Sequence, residues 1–180
     1  MAITYSSEAI VLGKRNYGEA DKIISVFSKH KGKIFLMAKS ARKPSSRKRG
    51  HLEVFNVIRF SAIETKSLDI FSEAQVTESF EEIKKDLKKT SVAYFFLEVI
   101  GKLTRENEPH EDIYYILFNS LNNLITSSNL KQLRKQYIRD ILVTLGFWPQ
   151  NLALDNPDKV LEDIAERQFS SIRVGKKVLE

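Results

Sequence analysis

The hydrophobic period of this chain changes near Thr77, and this change constrains the fold more than any other feature of the sequence. Before it, short runs rich in Ile, Val and Phe alternate with turn-forming segments, which is typical of β-strands. After it, apolar residues recur every three or four positions, which is typical of helices. A chain of 180 residues can hold one domain or two small ones. We therefore predict an α+β protein with a boundary near residues 76–82 and domains at 1–78 and 79–180.

The first part of the chain contains five strand-like runs, at residues 9–13, 22–28, 33–39, 54–63 and 68–76. Turn-prone segments with Gly, Asn, Pro or Ser separate several of these runs. Five strands in so short a segment predict a small β-barrel. The OB fold is the five-stranded barrel that binds single-stranded nucleic acid, and we predict this fold for the N-terminal half.

The second part of the chain shows four apolar stripes at helical spacing. They predict helices over residues 91–103, 113–125 and 130–145, and a fourth that begins at Asn156-Pro157. The first of these is apolar over most of its surface, so we place it in the middle of an α-helical bundle. For the third helix, Ser128 is the predicted N-cap and Gly146 the residue that ends it, with Phe147 packing back on the last turn.

The positive charge of the chain is concentrated in its first part. Lys and Arg number 14 and Asp and Glu 7 in residues 1–75, a net charge of +7, whereas residues 76–180 hold 15 and 16, a net charge of −1. From Lys22 to Leu52 there are ten basic residues and no acidic one. Charge concentrated in this way on a small domain indicates a polyanion as partner, and nucleic acid first of all.

Residues 39–50 are too basic, and too rich in Ser and Pro, to be the interior of a strand, so they predict a mobile loop between the third and fourth strands. Such a loop can follow a phosphate backbone. Most phenylalanines of this half suit the barrel core, whereas Tyr17, in a turn with Gly18, suits an exposed ring on which a base can stack. The alternative is that the basic run is only a solvated surface. The candidate DNA-binding residues are Lys29, Lys31, Lys33, Lys39, Arg42, Lys43, Arg47, Lys48, Arg49 and Tyr17.

The sequence contains no recognisable catalytic constellation. It has no cysteine, and its three histidines are far apart without a second ligand at metal-site spacing. No P-loop, G-x-G-x-x-G or G-x-S-x-G motif occurs. We therefore expect neither an enzyme, nor a cofactor, a metal or a small-molecule substrate. The N-terminus does not have the pattern of a signal peptide, and the most apolar stretch is too short to cross a membrane, so we expect a soluble, cytoplasmic protein.

The third predicted helix carries a basic stripe beside its apolar one. The stripe consists of Lys131, Arg134, Lys135 and Arg139. It can be an ordinary solvated face. It can also hold an acidic peptide with an apolar end, whose carboxylates the cations would bind while Tyr137 and Phe147 line a neighbouring groove. The pattern alone leaves both explanations open.

Six segments of the chain, in order, resemble the RecO family of bacterial recombination mediators. They are AIVL at 9–12, YGEADKI at 17–23, FSKHKGK at 27–33, AKSAR at 38–42 followed by Ser46, SLDI at 67–70, and LGFWP at 145–149. The resemblance implies an N-terminal OB domain and a C-terminal helical domain. It also implies DNA repair by ATP-independent annealing of complementary single strands, in partnership with RecR, at the nucleoid.

The same resemblance implies that the protein helps to load the recombinase onto DNA coated by single-strand-binding protein (SSB), whose acidic C-terminal tail docks on the helical domain. The basic stripe of the third helix then becomes the candidate site for that tail. Two departures from the family stand out. Many members carry a four-cysteine zinc module after a Gly-Phe-x-Pro segment, whereas this chain has no cysteine there, and it is shorter than usual members at its C-terminal end.

Two other functions fit the residues as well. The barrel can be an RNA-binding OB module that acts in translation or RNA handling. The helical half can be a non-enzymatic adaptor, with the basic loop serving only solubility.

Overall fold

The structure, a computed structural model, describes residues 3–46 and 48–165, and its first part consists mainly of five strands. They are β1 (Thr4–Tyr17), β2 (Asp21–Ser28), β3 (Gly32–Ala38), β4 (Val57–Ile63) and β5 (Asp69–Glu78). Hydrogen bonding closes them into a barrel in the order β1-β2-β3-β5-β4. Neighbouring strands are antiparallel except β3 and β5, which form a short parallel pair at Leu36–Asp69 and Met37–Ile70. The predicted fold class, an OB-type barrel followed by helices, is confirmed.

The barrel closes because β1 is long enough to pair on both sides. Its first half, from Thr4 to Ile10, pairs with β4, and its second half, from Ala9 to Tyr17, pairs with β2. The register with β2 shifts between Val11 and Gly13, which marks a β-bulge. A bulge bends a strand and increases its local twist, so one strand can serve two sides of a small barrel. The run predicted at 9–13 thus covers only the middle of this strand.

Alternation along the strands determines which side chains fill the barrel. Ile24 and Val26 of β2, Ile34 and Leu36 of β3, and Ile58 and Phe60 of β4 all belong to one buried apolar cluster. Successive residues of a strand point to opposite faces, so their neighbours point outward. The phenylalanines at positions 27, 55, 60 and 71 are buried, as predicted, whereas Phe35 is only half-buried on the outer face.

Six helices occur in the described part of the chain. They are α1 (Lys48–His51), α2 (Glu81–Lys84), α3 (Leu87–Leu103), α4 (Glu111–Thr126), α5 (Leu130–Thr144) and α6 (Pro157–Ala165). The last four confirm the predicted helices, and α1 and α2 were not predicted because four residues are too few to show a helical period. Helix α3 buries seven side chains, as expected of a central helix. No helix of residues 3–46 and 48–165 is long and apolar enough to span a membrane.

Two helix ends follow the predicted capping pattern and one differs by a residue. At the end of α5, Gly146 has a φ of 76° and the N–H of Phe147 donates to the carbonyl of Leu142 at 2.8 Å, which is a Schellman motif. Asn156 caps α6 through a bond from the N–H of Lys159, at 3.3 Å. The predicted N-cap of α5 was wrong: Asn129, one residue after Ser128, accepts from the N–H of Gln132 at 3.0 Å.

The described chain divides into two compact units, and one of them is discontinuous. The barrel unit comprises residues up to Ser79 together with Thr104–Tyr114, and the helical unit comprises the remaining residues. We call Thr104–Tyr114 the 104–114 segment. The N–H of Asn107 donates to the carbonyl of Lys33 at 2.9 Å, and the Lys33 Nζ donates to the carbonyl of Thr104 at 2.7 Å. The 104–114 segment is therefore attached to the start of β3 by one main-chain bond and one bond from the Lys33 side chain.

Gly32 permits this attachment because it has no side chain. Its φ is 67°, which favours glycine, and a Cβ built at this position would collide with the main-chain carbonyl of Glu108. Backbone atoms cannot move aside as the end of a flexible side chain can. The close approach of the 104–114 segment therefore requires glycine at the β2–β3 turn.

We expect Gly32→Ala to lower the free energy of unfolding by roughly 2–4 kcal/mol, from the left-handed backbone strain plus the collision with Glu108. The matched control is Gly18→Ala. Gly18 also has a positive φ, 53°, but a Cβ there has nothing within 4 Å, so it isolates the strain, which amounts to about 1–2 kcal/mol. Urea denaturation of the full chain, followed by circular dichroism, measures both values. Equal losses for the two variants would show that Glu108 does not approach Gly32 in solution.

Candidate nucleic-acid interface

The described cations between Lys22 and Leu52 lie at two different ends of the barrel. Lys29, Lys31 and Lys33 lie at the β2–β3 turn, whereas Lys39, Arg42 and Lys43 follow the end of β3, beside the β1–β2 turn. Strands β2 and β3 have eight and seven residues. At about 3.3 Å per residue, the two groups are roughly 20–25 Å apart. The run that is continuous in the sequence is therefore not one continuous patch.

The three lysines at the β2–β3 turn contact other groups of the barrel unit. The Lys29 Nζ lies 3.5 Å from a carboxylate oxygen of Glu111, and the Lys31 Nζ lies 3.6 Å from the centre of the Tyr5 ring. Burial lowers the pKa of Lys33, an effect that the nearby Glu106 carboxylate partly opposes. The 104–114 segment thus brings acidic side chains to this end of the barrel.

The cations that follow β3 are exposed. Arg42 donates from Nη1 to the carbonyl of Gly18 at 2.9 Å, and its main-chain N–H donates to the carbonyl of Ala20 at 2.9 Å. These bonds hold the start of the basic loop against the β1–β2 turn, where Tyr17 is 52% exposed. We call Tyr17, Lys39, Arg42 and Lys43 the turn cluster; it combines three exposed positive charges with one exposed aromatic ring.

The far end of the basic loop is also attached to β1. The N–H of Phe55 donates to the carbonyl of Val11 at 3.0 Å, and the N–H of Val11 donates to the carbonyl of Asn56 at 2.9 Å. Phe55 is buried with a φ of 77°, so this anchor holds a strained residue in place. Arg47 lies outside the described residues, as do the side chains of Lys48 and Arg49, whose backbone forms the start of α1.

The outer face of β1, β2 and β3 carries a shallow recess of about 240 Å³. Gly13, Ser25 and Phe35 are paired across the three strands and form one row of this face. Arg15 and Ile23, which are also paired, lie in the next row towards the turn cluster. The sequence prediction missed Arg15 and assigned Phe35 to the core, because every residue between Lys33 and Lys39 is apolar and the run hides which positions face outward.

The four cations of α5 do not form one patch. Lys131 and Lys135 are exposed, whereas the Arg134 side chain is only 12% exposed. Both Nη atoms of Arg134 donate to the carboxylate of Asp158, and its guanidinium lies 3.9 Å from the centre of the Phe95 ring. Arg139 donates from Nη2 to the carbonyl of Gln150 at 2.6 Å. Arg134 therefore joins α5 to α3 and α6.

Tyr137 does not line a groove, contrary to the expectation from the sequence. Its ring is buried against Phe96, with centroids 4.1 Å apart, and its hydroxyl donates to the carbonyl of Phe96 at 2.7 Å. Burial raises the pKa of Tyr137 well above its ordinary value. Phe147, by contrast, is 47% exposed and remains available at the end of α5. Within residues 3–46 and 48–165 no cluster of His, Asp and Glu suits a metal ion.

Comparison with known protein families finds two matched regions in this chain. Residues 1–80 match the family model described as "Recombination protein O N terminal", and residues 84–151 match "Recombination protein O C terminal". Several curated relatives also match. The DNA repair protein RecO of Pelotomaculum thermopropionicum is 32% identical over 145 residues, which are 81% of this chain and 56% of the relative.

Two further relatives match similar or larger shares of the chain. The DNA repair protein RecO of Desulforamulus reducens is 33% identical over the same shares of the two chains, and that of Roseiflexus sp. is 27% identical over 95% of this chain and 60% of its own length. The chain thus spans little more than half the length of the curated relatives it matches.

We expect Arg134→Ala to lower the free energy of unfolding of the helical unit by about 2–4 kcal/mol, because it leaves the largely buried Asp158 carboxylate without its partner. Arg134→Lys should recover only part of this loss, since an ammonium group cannot form the two parallel bonds or stack on Phe95. Lys135→Ala is the matched control on the same helix, and its exposed side chain predicts a change within about 0.5 kcal/mol.

Urea denaturation followed by the fluorescence of Trp148, the only tryptophan of the sequence and part of the helical unit, gives these values. If Arg134→Ala and Lys135→Ala unfold at the same urea concentration, the pair with Asp158 does not stabilise the unit.

Proposed function

The chain belongs to the RecO family, and from this membership we propose that it acts in bacterial DNA repair and homologous recombination as a mediator without catalytic chemistry. In this role it binds single- and double-stranded DNA, anneals complementary strands, and acts with RecR and SSB in loading the recombinase. Its place of action would be the cytoplasm, at the nucleoid. The partnership with RecR rests on family membership alone.

The turn cluster is the feature of the structure that best supports the proposed DNA binding. Lys39, Arg42 and Lys43 are exposed at one end of the barrel, next to the exposed ring of Tyr17. Cations bind phosphates whatever the base sequence, and an exposed ring can stack on any base. The cluster therefore suits a strand of any sequence, as repair requires. Arg47, Lys48 and Arg49 continue the same basic run in the sequence, and we propose that they extend this site.

Annealing follows from the same charges. Two complementary strands are both polyanions, and their repulsion slows their encounter. A basic loop that is attached at the β1–β2 turn and at Val11 can lie between two backbones and reduce that repulsion. The bases remain free to pair because the loop contacts phosphates. Duplex DNA presents the same phosphates, so it binds to the same cations.

For the SSB tail we propose a smaller site than the sequence predicted. Arg134 is used within the helical unit, so the exposed Lys131 and Lys135 remain to hold the carboxylates of an acidic peptide. Phe147 and Leu152 are about half exposed, and the bond from Arg139 to Gln150 holds their loop beside the last turns of α5. An acidic peptide with an apolar end fits such a combination. The lysines at the β2–β3 turn also contact groups within their own unit. For the same reason we regard them as secondary candidates for DNA binding.

We expect the triple variant Lys39→Gln, Arg42→Gln, Lys43→Gln to bind single-stranded DNA more weakly and with a smaller dependence on salt. Each phosphate contact on a single strand contributes about 0.7 to the slope of log K against log salt, so the loss of three contacts should reduce the slope by about 2. Fluorescence anisotropy with a labelled oligonucleotide at several salt concentrations measures it, and a strand-annealing assay should slow in parallel.

The control for this variant is the triple change Lys84→Gln, Lys85→Gln, Lys102→Gln. It removes the same charge from the helical unit, where each lysine pairs with a nearby glutamate. An unchanged slope in the turn-cluster variant, or an equal reduction in the control, would refute a specific role of the turn cluster. A strong preference for RNA over DNA oligonucleotides of the same sequence would favour the RNA-binding alternative.

We expect the double variant Lys131→Gln, Lys135→Gln to bind a peptide of the acidic SSB tail at least about tenfold more weakly than the unchanged chain, because hydrogen bonds to charged groups contribute about 1.5–3 kcal/mol each when they are made. Titration of the labelled peptide measures the affinity. The double variant Lys84→Gln, Lys85→Gln serves as control. Equal affinity of the two double variants would contradict the proposed tail site.

A further inference from the structure

The recess on the outer face of β1, β2 and β3 exists because two of its positions carry almost no side chain. Gly13 and Ser25 are paired, and Ser25 is paired in turn with Phe35, so the three lie side by side across the strands. A Cβ built on Gly13 would have nothing within 4 Å, which shows that the space above it is open. The result is a gap in the outer face, with Phe35 as its wall.

The lining of the recess is apolar within and positive at the rim. Phe35 is half-buried and Ile23 is buried in the floor, while Arg15 is exposed at the edge. Lys14 also lines the recess, but its charge is paired with Glu53 at 2.6 Å, so Arg15 supplies the positive charge of the rim. The volume of about 240 Å³ lies below the ~300 Å³ at which pockets for drug-sized ligands begin, so it suits one small flat ring system. A planar ring attached to a negatively charged group matches these walls and this rim.

The recess also lies on a direct path from the turn cluster. Along β1, Gly13, Arg15 and Tyr17 all occupy alternate positions and share one face, with about 7 Å between successive positions. A strand whose phosphates contact Lys39, Arg42 and Lys43 can therefore pass Tyr17 and Arg15 and reach Phe35 within a few nucleotides.

We propose that this recess receives one unpaired nucleobase, which stacks on Phe35 above Gly13 while Arg15 holds the adjacent phosphate. The proposal rests on the DNA binding proposed above and names the face of the barrel that the bases contact. A base inside a duplex is paired and stacked, so it cannot enter. Stacking on a protein ring is tolerant of base identity. The recess would therefore let the protein distinguish single strands from duplexes, which the cations alone cannot do.

A second recess, of about 320 Å³ on the outer face of β1, β4 and β5, does not suit a base. Its lining includes Arg59 but also Ser6, Ser61 and the carboxylate of Glu73. A carboxylate beside the entrance repels phosphates. Phe60 also contributes to the lining, but its side chain is buried in the barrel core, so the accessible groups are hydroxyls and amides where the first recess offers the Phe35 ring. The chemistry of the lining therefore points to the face with Phe35.

The test uses the full chain with an oligonucleotide that contains one 2-aminopurine, whose fluorescence changes when it stacks on a ring. Phe35→Ala removes the wall, and Gly13→Val fills the space. Gly13 has no positive φ and lies in a strand, where valine is favoured, so this variant should fold. Phe35→Tyr keeps a ring, and Tyr94→Ala removes a half-exposed ring from α3 as the matched control.

We expect Phe35→Ala and Gly13→Val to raise the Kd for single-stranded DNA by about 5- to 150-fold, the range expected for the loss of one stacked base. Both should abolish the 2-aminopurine response and leave the duplex Kd within about twofold, the scatter of a surface change without a lost contact. Tyr94→Ala should behave like the unchanged chain, and Phe35→Tyr, which keeps a ring in the recess, should restore the 2-aminopurine response that Phe35→Ala abolishes.

Salt-dependent binding of single strands that neither Phe35→Ala nor Gly13→Val weakens would overturn the base site and leave the proposed function in place. Equal weakening for single strands and duplexes would also overturn it, because that pattern indicates loss of the barrel surface in general. If the unchanged chain binds no oligonucleotide even at low salt, both this inference and the proposed function are wrong.

Discussion

The β-bulge between Val11 and Gly13 is the constraint on which the barrel half of this protein depends. Strand β1 pairs with β4 from Thr4 to Ile10 and with β2 from Ala9 to Tyr17, and the bulge just after this overlap bends the strand so that the barrel can close. The main-chain groups of Val11 bind Phe55 and Asn56, so the same point holds the far end of the basic loop. Gly13, on the other side of the bulge, opens the recess on the outer face. One local irregularity of β1 thus contributes to the closure of the barrel, to the attachment of the basic loop and to the candidate base site.

The electrostatics of the barrel unit depend on the second chain segment that packs against it. The 104–114 segment brings Glu106 and Glu111 to the lysines of the β2–β3 turn, and the carbonyl of Thr104 accepts a bond from Lys33. Beside the β1–β2 turn, Arg42 donates to a main-chain carbonyl, and Lys39 and Lys43 are exposed, so their charge stays available. A polyanion would therefore meet more exposed positive charge at the turn cluster than at the β2–β3 turn, even with the exposed Glu19 in the β1–β2 turn. In the proposed function, a DNA strand would therefore first contact the barrel at the turn cluster.

Much of the fold was predictable because periodicity is a local property. The five strands and the four long helices were all indicated by their apolar patterns, and the caps at Asn156 and Gly146 by residue type. The prediction failed where the pattern was short or uniform. Helices α1 and α2 have only four residues each, and the run from Ile34 to Ala38 is apolar throughout, so it did not reveal that Phe35 faces outward.

The amino-acid sequence by itself determined the class of the fold, the excess of positive charge in its first half and the segments that resemble the RecO family, since all of these follow from residue types and their spacing. Only the tertiary structure decided which cations are available. Arg134 and Arg139 belong to the same basic stripe of the sequence as Lys131 and Lys135, yet the first pairs with Asp158 and the second binds a main-chain carbonyl. Whether a charge faces solvent depends on what packs against it from distant parts of the chain, and no local pattern records that.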